Sequence, residues 1–296
     1  MTAVLTLVDA VEVSEPVARW AAGTGPGAEL TGTLCGVYEH SVSLRCREAS
    51  GVPLIVNLTA APVETVCQAQ IESSVLAELR LAGIGTPVAL RTGGAEVVGT
   101  RLPGFPRLAG PATLAPFRAP ASWFDTADGR RFGQPRLDRA ARAVATDTDP
   151  VSGAGQGALH ALCGLGIGLT PSGDDALVGL IAAGRVAGVG VGVIGRFTAV
   201  LSRPGTENLT TETSLCHLRL ATAGDFSPSV LGLLEALIDP ERRGLDRAVS
   251  RLAQVGHSSG ADLMAGVDAL ARCLAIPASP IPESSPAQSL DQKAER

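Results

Sequence analysis

Residues 164–181 read Gly-Leu-Gly-Ile-Gly-Leu-Thr-Pro-Ser-Gly-Asp-Asp-Ala-Leu-Val-Gly-Leu-Ile, a loop that turns into a helix. Gly164, Gly166 and Gly168 stand at alternate positions, where the missing Cβ permits positive φ and close approach to a ligand. From Thr170 onward the signals are those of a helix start. Thr170 or Ser172 suits the N-cap, Pro171 suits the first helical position, and Ser172-x-x-Asp175 has capping-box spacing. Such a start exposes unpaired N–H groups at the positive end of the helix dipole, a setting for phosphate or carboxylate. Gly166, Gly168, Thr170, Ser172, Gly173 and Asp174 are therefore the substrate-binding candidates of this loop. Asp174 and Asp175 oppose a bare anion there, and a divalent cation would reverse the sign. Mg²⁺ held by these two carboxylates would complete its shell with water and phosphate oxygens. In the plain structural alternative, one Asp caps the helix and the other lies in solvent.

A second passage, Ser259-Gly260-Ala261-Asp262-Leu263-Met264-Ala265-Gly266, repeats Ser172-Gly173-Asp174-Asp175-Ala176-Leu177-Val178-Gly179 with Ser, Gly, the second acid and the later Gly in register. Two helix starts with one heading imply two walls of a single pocket, or a duplication within the helical half. Asp175 and Asp262 become the acidic pair, candidates for catalysis, with Ser258, Ser259 and Gly260 as binding candidates. His257 is a third catalytic candidate, as an acid or carbonyl-polarising donor; the bland reading is an imidazole that only caps the loop. Gly179 and Gly266 would let helices approach closely. A third polar helix start, Thr210-Thr211-Glu212-Thr213-Ser214, carries four hydroxyls, more than one N-cap needs. Thr210, Thr211 and Thr213 are read as a further wall of the pocket. His160 and His217 are read as structural.

Working outward, residues 30–110 are strand-like. Segments 31–38 and 41–46 alternate partially, 53–58 is an apolar run, and 88–91 with 96–98 looks like a hairpin around Thr92-Gly93-Gly94; a short helix is expected over 73–82. Residues 103–122, dense in Pro, Gly and Ala, mark a linker, and Trp123-Phe124-Asp125 either anchors the junction or stacks on a substrate. Beyond Arg136 apolar residues recur at helical spacing, with helices expected after Ser227-Pro228 and after Asp239-Pro240, and a last stripe at Leu263, Val267, Leu270 and Leu274. The expected fold class is α+β: a β-rich domain with its linker over 1–122, an α-helical domain over 123–276, and a disordered Pro/Ser-rich tail over 277–296.

Composition narrows the function. The chain has 296 residues, 45% apolar but 3% aromatic, and a net charge of −5. Neither general attraction to nucleic acid nor a basic patch with interleaved aromatics is present. The only lysine is Lys293, which excludes a Schiff-base lysine in the folded body and a P-loop. Six cysteines without a C-x-x-C pair argue against zinc and disulfide frameworks and for a reducing cytoplasm. The N-terminus has no basic region before its short apolar run, so no signal peptide is expected. Residues 176–195 are apolar enough for a membrane span, but Gly184, Arg185, Gly188, Gly190 and Gly192 point to two buried helices joined by a turn.

With these motifs in view, the chain resembles a bacterial family once catalogued as a domain of unknown function and now linked to a subunit of oxamate carbamoyltransferase from allantoin (ureide) catabolism. The matching residues are Gly166 to Asp175, Thr210 to Ser214 with Ala221-Thr222-Ala223-Gly224, and Gly256 to Asp262; Trp123-Phe124-Asp125 is similar to a Trp-x-Asp-like element of that family. The likeness covers nearly all of the chain except the tail. Ile167 stands where the family often has Pro, so a less rigid loop is expected. The resemblance implies carbamoyl transfer between carbamoyl phosphate and a small amide such as oxamate, within a complex of subunits. The Ser-Thr-Arg-Thr and His-Cys-Leu-Pro segments of ordinary carbamoyltransferases are absent, so catalysis here would use another architecture. Two readings compete with it: a Mg-dependent phosphotransferase or hydrolase built on Asp174, Asp175 and Asp262, and a non-catalytic scaffold or regulatory subunit whose glycines only permit tight packing.

Overall fold

The computed structural model describes residues 5–24, 29–47, 53–99, 102, 114, 117–147, 154–203 and 205–275. The expected tail and most of the expected linker lie outside the described residues. The rest is α+β, a β-barrel region followed by a helical part.

The barrel is built from β1 (Thr6–Ser14), β2 (Glu29–Val37), β3 (Ser41–Arg47), β4 (Pro53–Thr59), β5 (Gln68–Ile71), β6 (Pro87–Arg91) and β7 (Glu96–Val98), with α1 (Glu15–Gly23) after β1 and α2 (Ser73–Ala82) after β5. The sheet order is β5-β4-β3-β2-β6-β1-β7, and β1 also pairs with β5, which closes the ring. Strand β1 makes this closure because it is long. Its first half runs parallel to β6 (Thr6↔Val88), its later half parallel to β7 (Glu12↔Glu96), and it is antiparallel to β5 across a bulge between Ala10 and Glu12. The expected hairpin of 88–91 with 96–98 is therefore not formed: both strands pair with β1. Val13, Leu34, Val42, Leu44, Val56, Leu58, Ile71, Val88 and Leu90 fill the interior.

In the helical part, a 3₁₀ turn (Trp123–Asp125) and a π turn (Gly129–Gly133) lead into α3 (Gln134–Ala145), followed by α4 (Ala154–His160), α5 (Ser172–Ala187), α6 (Val191–Leu201), a 3₁₀ turn (Thr206–Asn208), α7 (Glu212–Ala223), α8 (Pro228–Ile238), α9 (Leu245–Ala253) and α10 (Ser259–Ala275). Helix α5 is central and buried along nearly all its length. It ends where Gly188 and Gly190 take left-handed backbone (φ 70° and 71°), and α6 begins. This is the two-helix reading of the apolar run, and no helix among the described residues is long and apolar enough to cross a membrane. Ser227 caps α8 by accepting from the Val230 amide. Helix α9 starts after Gly244 rather than after Pro240, because Asp239 is used in a tight turn, accepting from the Glu241 and Arg243 amides.

Helix α7 serves both interiors. Leu215, Leu218 and Ala221 pack with the other helices, while Cys216 and Leu220 pack into the barrel core. Polar bridges reinforce this seam. Arg19 donates to both carboxyl oxygens of Asp225 (3.2 and 2.7 Å), whose side chain is wholly buried. Glu64 accepts from Ser229 (2.7 Å) and Arg251 (2.8 Å), and the Cys67 and Cys216 sulfurs lie 3.4 Å apart.

Candidate functional site

The glycine loop follows α4. Gly164, Gly166 and Gly168 have φ of 68°, 113° and 100°, the conformation that the alternating glycines called for. A Cβ on Gly164 would stand 2.6 Å from the Leu209 carbonyl oxygen and one on Gly166 2.8 Å from the Ser172 nitrogen, whereas Gly168 faces open space. Two of the glycines are thus fixed by packing as well as by φ, and the third only by φ. The crest of the loop carries Ile167, 86% exposed, and Leu169, 42% exposed. Among the described residues, no acceptor takes the amides of Ile167, Gly168, Leu169 or Thr170.

The first turns of the two motif helices differ from expectation. Pro171 itself is the N-cap of α5, at ψ 142°, and no side chain caps the helix; the capping box Ser172-x-x-Asp175 is not formed. The Gly173 amide donates to the Leu165 carbonyl (2.8 Å), and the Asp174 and Asp175 amides donate to the Pro171 carbonyl (2.9 and 3.2 Å). At α10, Gly260 likewise donates to Val255 (3.0 Å) and Asp262 to Ser258 (2.9 Å). Chain carbonyls have thus taken several of the donors on which an anion at these first turns would depend, and leave, among the described residues, the Ser172, Ser259 and Ala261 amides. Gly173 and Gly260 are packing residues: an added Cβ would stand 2.1 Å from the Leu162 carbonyl oxygen and 1.7 Å from that of Leu252, respectively.

The buried carboxyls are sorted by their partners. Asp174 Oδ1 accepts from the Gly164 amide at 3.0 Å and Oδ2 from the Thr210 hydroxyl. Burial raises its pKa, and these bonds, with the nearby Ser214 hydroxyl, lower it, the net shift being upward. Asp175 turns to Ser259 and Thr170; burial first, then Asp262 and Asp174, push its pKa well above the usual carboxylate value. Asp262 Oδ1 accepts from the Trp123 amide at 2.9 Å. Burial raises its pKa too, opposed by Ser172, the Trp123 amide and Ser258. Oδ2 of Asp175 and Oδ2 of Asp262 are buried without a hydrogen-bond partner among the described residues. Asp174 and Asp175, the two carboxylates of the Mg²⁺ reading, have different neighbours, Gly164 and Thr210 for the first and Ser259 and Thr170 for the second. Among the described residues, no group of three or more His, Cys, Asp or Glu could hold a metal ion.

The two motif helices exchange their contacts as if about a two-fold axis. Ser172 of α5 favours the charged form of Asp262 of α10, and Ser259 of α10 does the same for Asp175 of α5. A Cβ on Gly179 would lie 2.0 Å from the Leu263 carbonyl oxygen, and one on Gly266 would lie 2.0 Å from the carbonyl oxygen of Ala176, the residue equivalent to Leu263. The preceding loops follow suit: Leu165 donates to Leu162 and accepts from Gly173, while Val255 donates to Leu252 and accepts from Gly260. The first loop then inserts three more residues than the second between its left-handed glycine, Gly166 or Gly256, and the motif serine.

All three polar motifs meet at the first loop. The Thr170 and Ser259 hydroxyls are 2.9 Å apart. Thr211 caps α7 by accepting from the Ser214 amide (3.1 Å) and donates its hydroxyl to the Leu169 carbonyl (2.5 Å). Thr213 is buried in the first turn of α7. His257 is exposed on the turn before α10, and Ser258 beside it is half-buried. Desolvation lowers the His217 pKa to about 4, so it is neutral. Trp123 is an anchor: it meets the Phe124 ring edge-on (centroids 5.3 Å, 78°), and a Cβ on Gly133 would stand 2.4 Å from its ring. The sequence reading did not foresee the donation of its amide to Asp262. The available signal was Ser122-x-x-Asp125, a capping box that is formed (Ser122 N to Asp125 Oδ2, 2.8 Å) and that fixes this amide.

No solved structure matches the chain. A family model does, over residues 162–271. That span holds the glycine loop, the Thr210–Ser214 cluster and the Gly256–Asp262 motif, and leaves the barrel outside it, so the match is narrower than the near full-length likeness drawn from the motifs. Its description, oxamate carbamoyltransferase subunit AllH, supports the family that those three motifs resemble.

Proposed function

We propose that the chain is a subunit of a carbamoyl-transferring complex and holds a small substrate, carbamoyl phosphate or a carboxylate-amide such as oxamate, at the crest of the glycine loop. The observation that carries this reading is the meeting of Gly166–Thr170, Thr210–Thr211 and Ser258–Ser259 at one surface position. The donors left for an anion at the crest are the amides of residues 167–170 and the hydroxyls of Thr170, Ser258 and Ser259, with Thr211 beside them already donating to the Leu169 carbonyl. Such preset donors suit a phosphate and a polarised carbonyl oxygen without a covalent nucleophile. His257, exposed beside them, is the candidate acid. Other subunits of the same complex are the proposed partners, and its place in ureide breakdown in the cytoplasm belongs to the same proposal.

Calorimetric titration with carbamoyl phosphate, oxamate and inorganic phosphate tests this, on the chain alone and together with its candidate partner subunits. Thr170→Val is expected to weaken binding about five-fold, the equivalent of one lost hydrogen bond of roughly 1 kcal/mol. The reading fails if the wild type binds none of the three in either setting. The scaffold alternative is favoured by one observation, the interlocked Gly179 and Gly266 contacts, and predicts instead that Thr170→Val leaves every affinity unchanged.

A further inference from the structure

The twin acids Asp175 and Asp262 occupy equivalent positions but do not have equivalent surroundings. Asp262 accepts a backbone N–H, from Trp123 at 2.9 Å; a fixed amide donor favours a charged carboxylate. Asp175 is 6% exposed and accepts no backbone N–H among the described residues; the neighbours that favour its charge are the Ser259 and Thr170 hydroxyls. The charges acting on it, Asp262 from α10 and Asp174 from its own helix, are both acidic. Each acid leaves its Oδ2 buried and, among the described residues, unpartnered, which is costly for an ionised carboxylate and far less so for the carbonyl oxygen of a neutral acid; only Asp262 has a backbone amide to offset that cost. When two titratable groups sit in environments that separate them in this way, one holds the proton and the other the charge.

The hydroxyls complete a chain. The Ser259 hydroxyl stands near Asp175 and favours its charged form, and it lies 2.9 Å from the Thr170 hydroxyl, where either of the two can donate. Thr170 is half-buried at the root of the exposed crest. The twin motif lacks this outer link, because its loop is three residues shorter and has no counterpart of Thr170. We propose that Asp175, Ser259 and Thr170 form a proton path from the α5–α10 interface to the glycine loop, with Asp175 the proton-carrying member of the acid pair.

What the proton does rests on the proposed function; the path itself does not. In carbamoyl transfer, the acceptor nitrogen bonds the carbamoyl carbon and the bond from that carbon to the phosphate oxygen breaks, its electron pair leaving with the oxygen. Asp175 supplies a proton to that oxygen through Ser259 and Thr170, each hydroxyl passing on its own proton, and recovers one from the nitrogen. Asp175 and Ser259 are then positioning residues, acting through Thr170.

Infrared spectroscopy of the chain alone tests the path, with no substrate or partner, so its outcome is separate from that of the ligand titration. A carboxylic-acid C=O band is expected to persist near neutral pH in the wild type, to be lost in Asp175→Asn and to remain in Asp262→Asn. In Ser259→Ala and Thr170→Val the band should remain while its hydrogen–deuterium exchange slows. Should Asp175→Asn fail to fold, a ¹³C-aspartate NMR titration of the wild type and Ser259→Ala replaces it, and a carboxyl still protonated near neutral pH whose titration moves in Ser259→Ala is expected. No such band or carboxyl in the wild type, loss of the band in Asp262→Asn with retention in Asp175→Asn, or exchange and titration unaffected by both hydroxyl changes would overturn the proposal.

Discussion

Gly179 presents its bare Cα to the carbonyl of Leu263 so closely that a Cβ would stand 2.0 Å from the oxygen. The neighbour is backbone, so nothing flexible can yield. Gly179→Ala is therefore expected to destabilise the chain by about 3 kcal/mol or more, as overpacking does when it must move an element. Gly266→Ala should cost a similar amount, since it meets Ala176 in the same way. Gly232→Ala in α8 is the control: nothing lies within 4 Å of its added Cβ, and better helix propensity should stabilise it by roughly 0.5–1 kcal/mol. Urea midpoints of the three variants check the set.

Asp175 makes stability depend on pH in an unusual direction. Folding raises its pKa above the ordinary 3.8, so the native state binds more protons than the unfolded chain. The stability it allows is complete below about the ordinary value and declines as pH rises through the folded one. Asp175→Asn removes this decline. The variant should gain on the wild type steadily as pH is raised, as read from urea midpoints between acid and mildly alkaline pH; a gap independent of pH would contradict the assignment.

His217 acts in the opposite sense. Its pKa falls from 6.5 to about 4 on folding, so the unfolded chain binds the extra proton. The stability is present above 6.5 and is lost as pH falls towards 4. His217→Phe should lessen acid unfolding across that window and leave stability near neutral pH little changed by titration, which thermal melts over the same pH range would record.

Arg19 and Asp225 join the barrel to the helices by a two-pronged bond onto a wholly buried carboxylate. Arg19→Ala strands that charge and is expected to cost on the order of 3 kcal/mol, at the lower end for a broken buried pair because Arg19 itself is part-exposed. The Arg19→Ala/Asp225→Ala double variant should be less damaged than the sum of its parts. A double-mutant cycle in urea measures the difference.

The sequence announced elements whose signals are local. Helix α2 falls on Ser73–Ala82 as its pattern indicates, β2 to β4 match the alternating segments, and Ser227 caps α8. Strand β1 escaped because its alternation breaks at the bulge between Ala10 and Glu12, and without it β6 and β7 looked like partners for each other. In the site, the shared heading of the two motifs was enough to bring Thr170 and Ser259 together. The destinations of the first-turn amides and the divergence of Asp174 from Asp175 were not legible, since both depend on loop carbonyls and hydroxyls contributed by distant segments, Leu165, Thr210 and Ser259 among them.

Helix α7 has one flank in each interior and begins at the threonine that touches the glycine loop. Excising the barrel would leave a gap where Cys216 and Leu220 had been, and excising the helices would lay those two side chains bare to water. Residues 162–271 alone, the span shared with the family model, would therefore make a poor fragment for expression, and a tug on the crest at Leu169 would be felt in the strands.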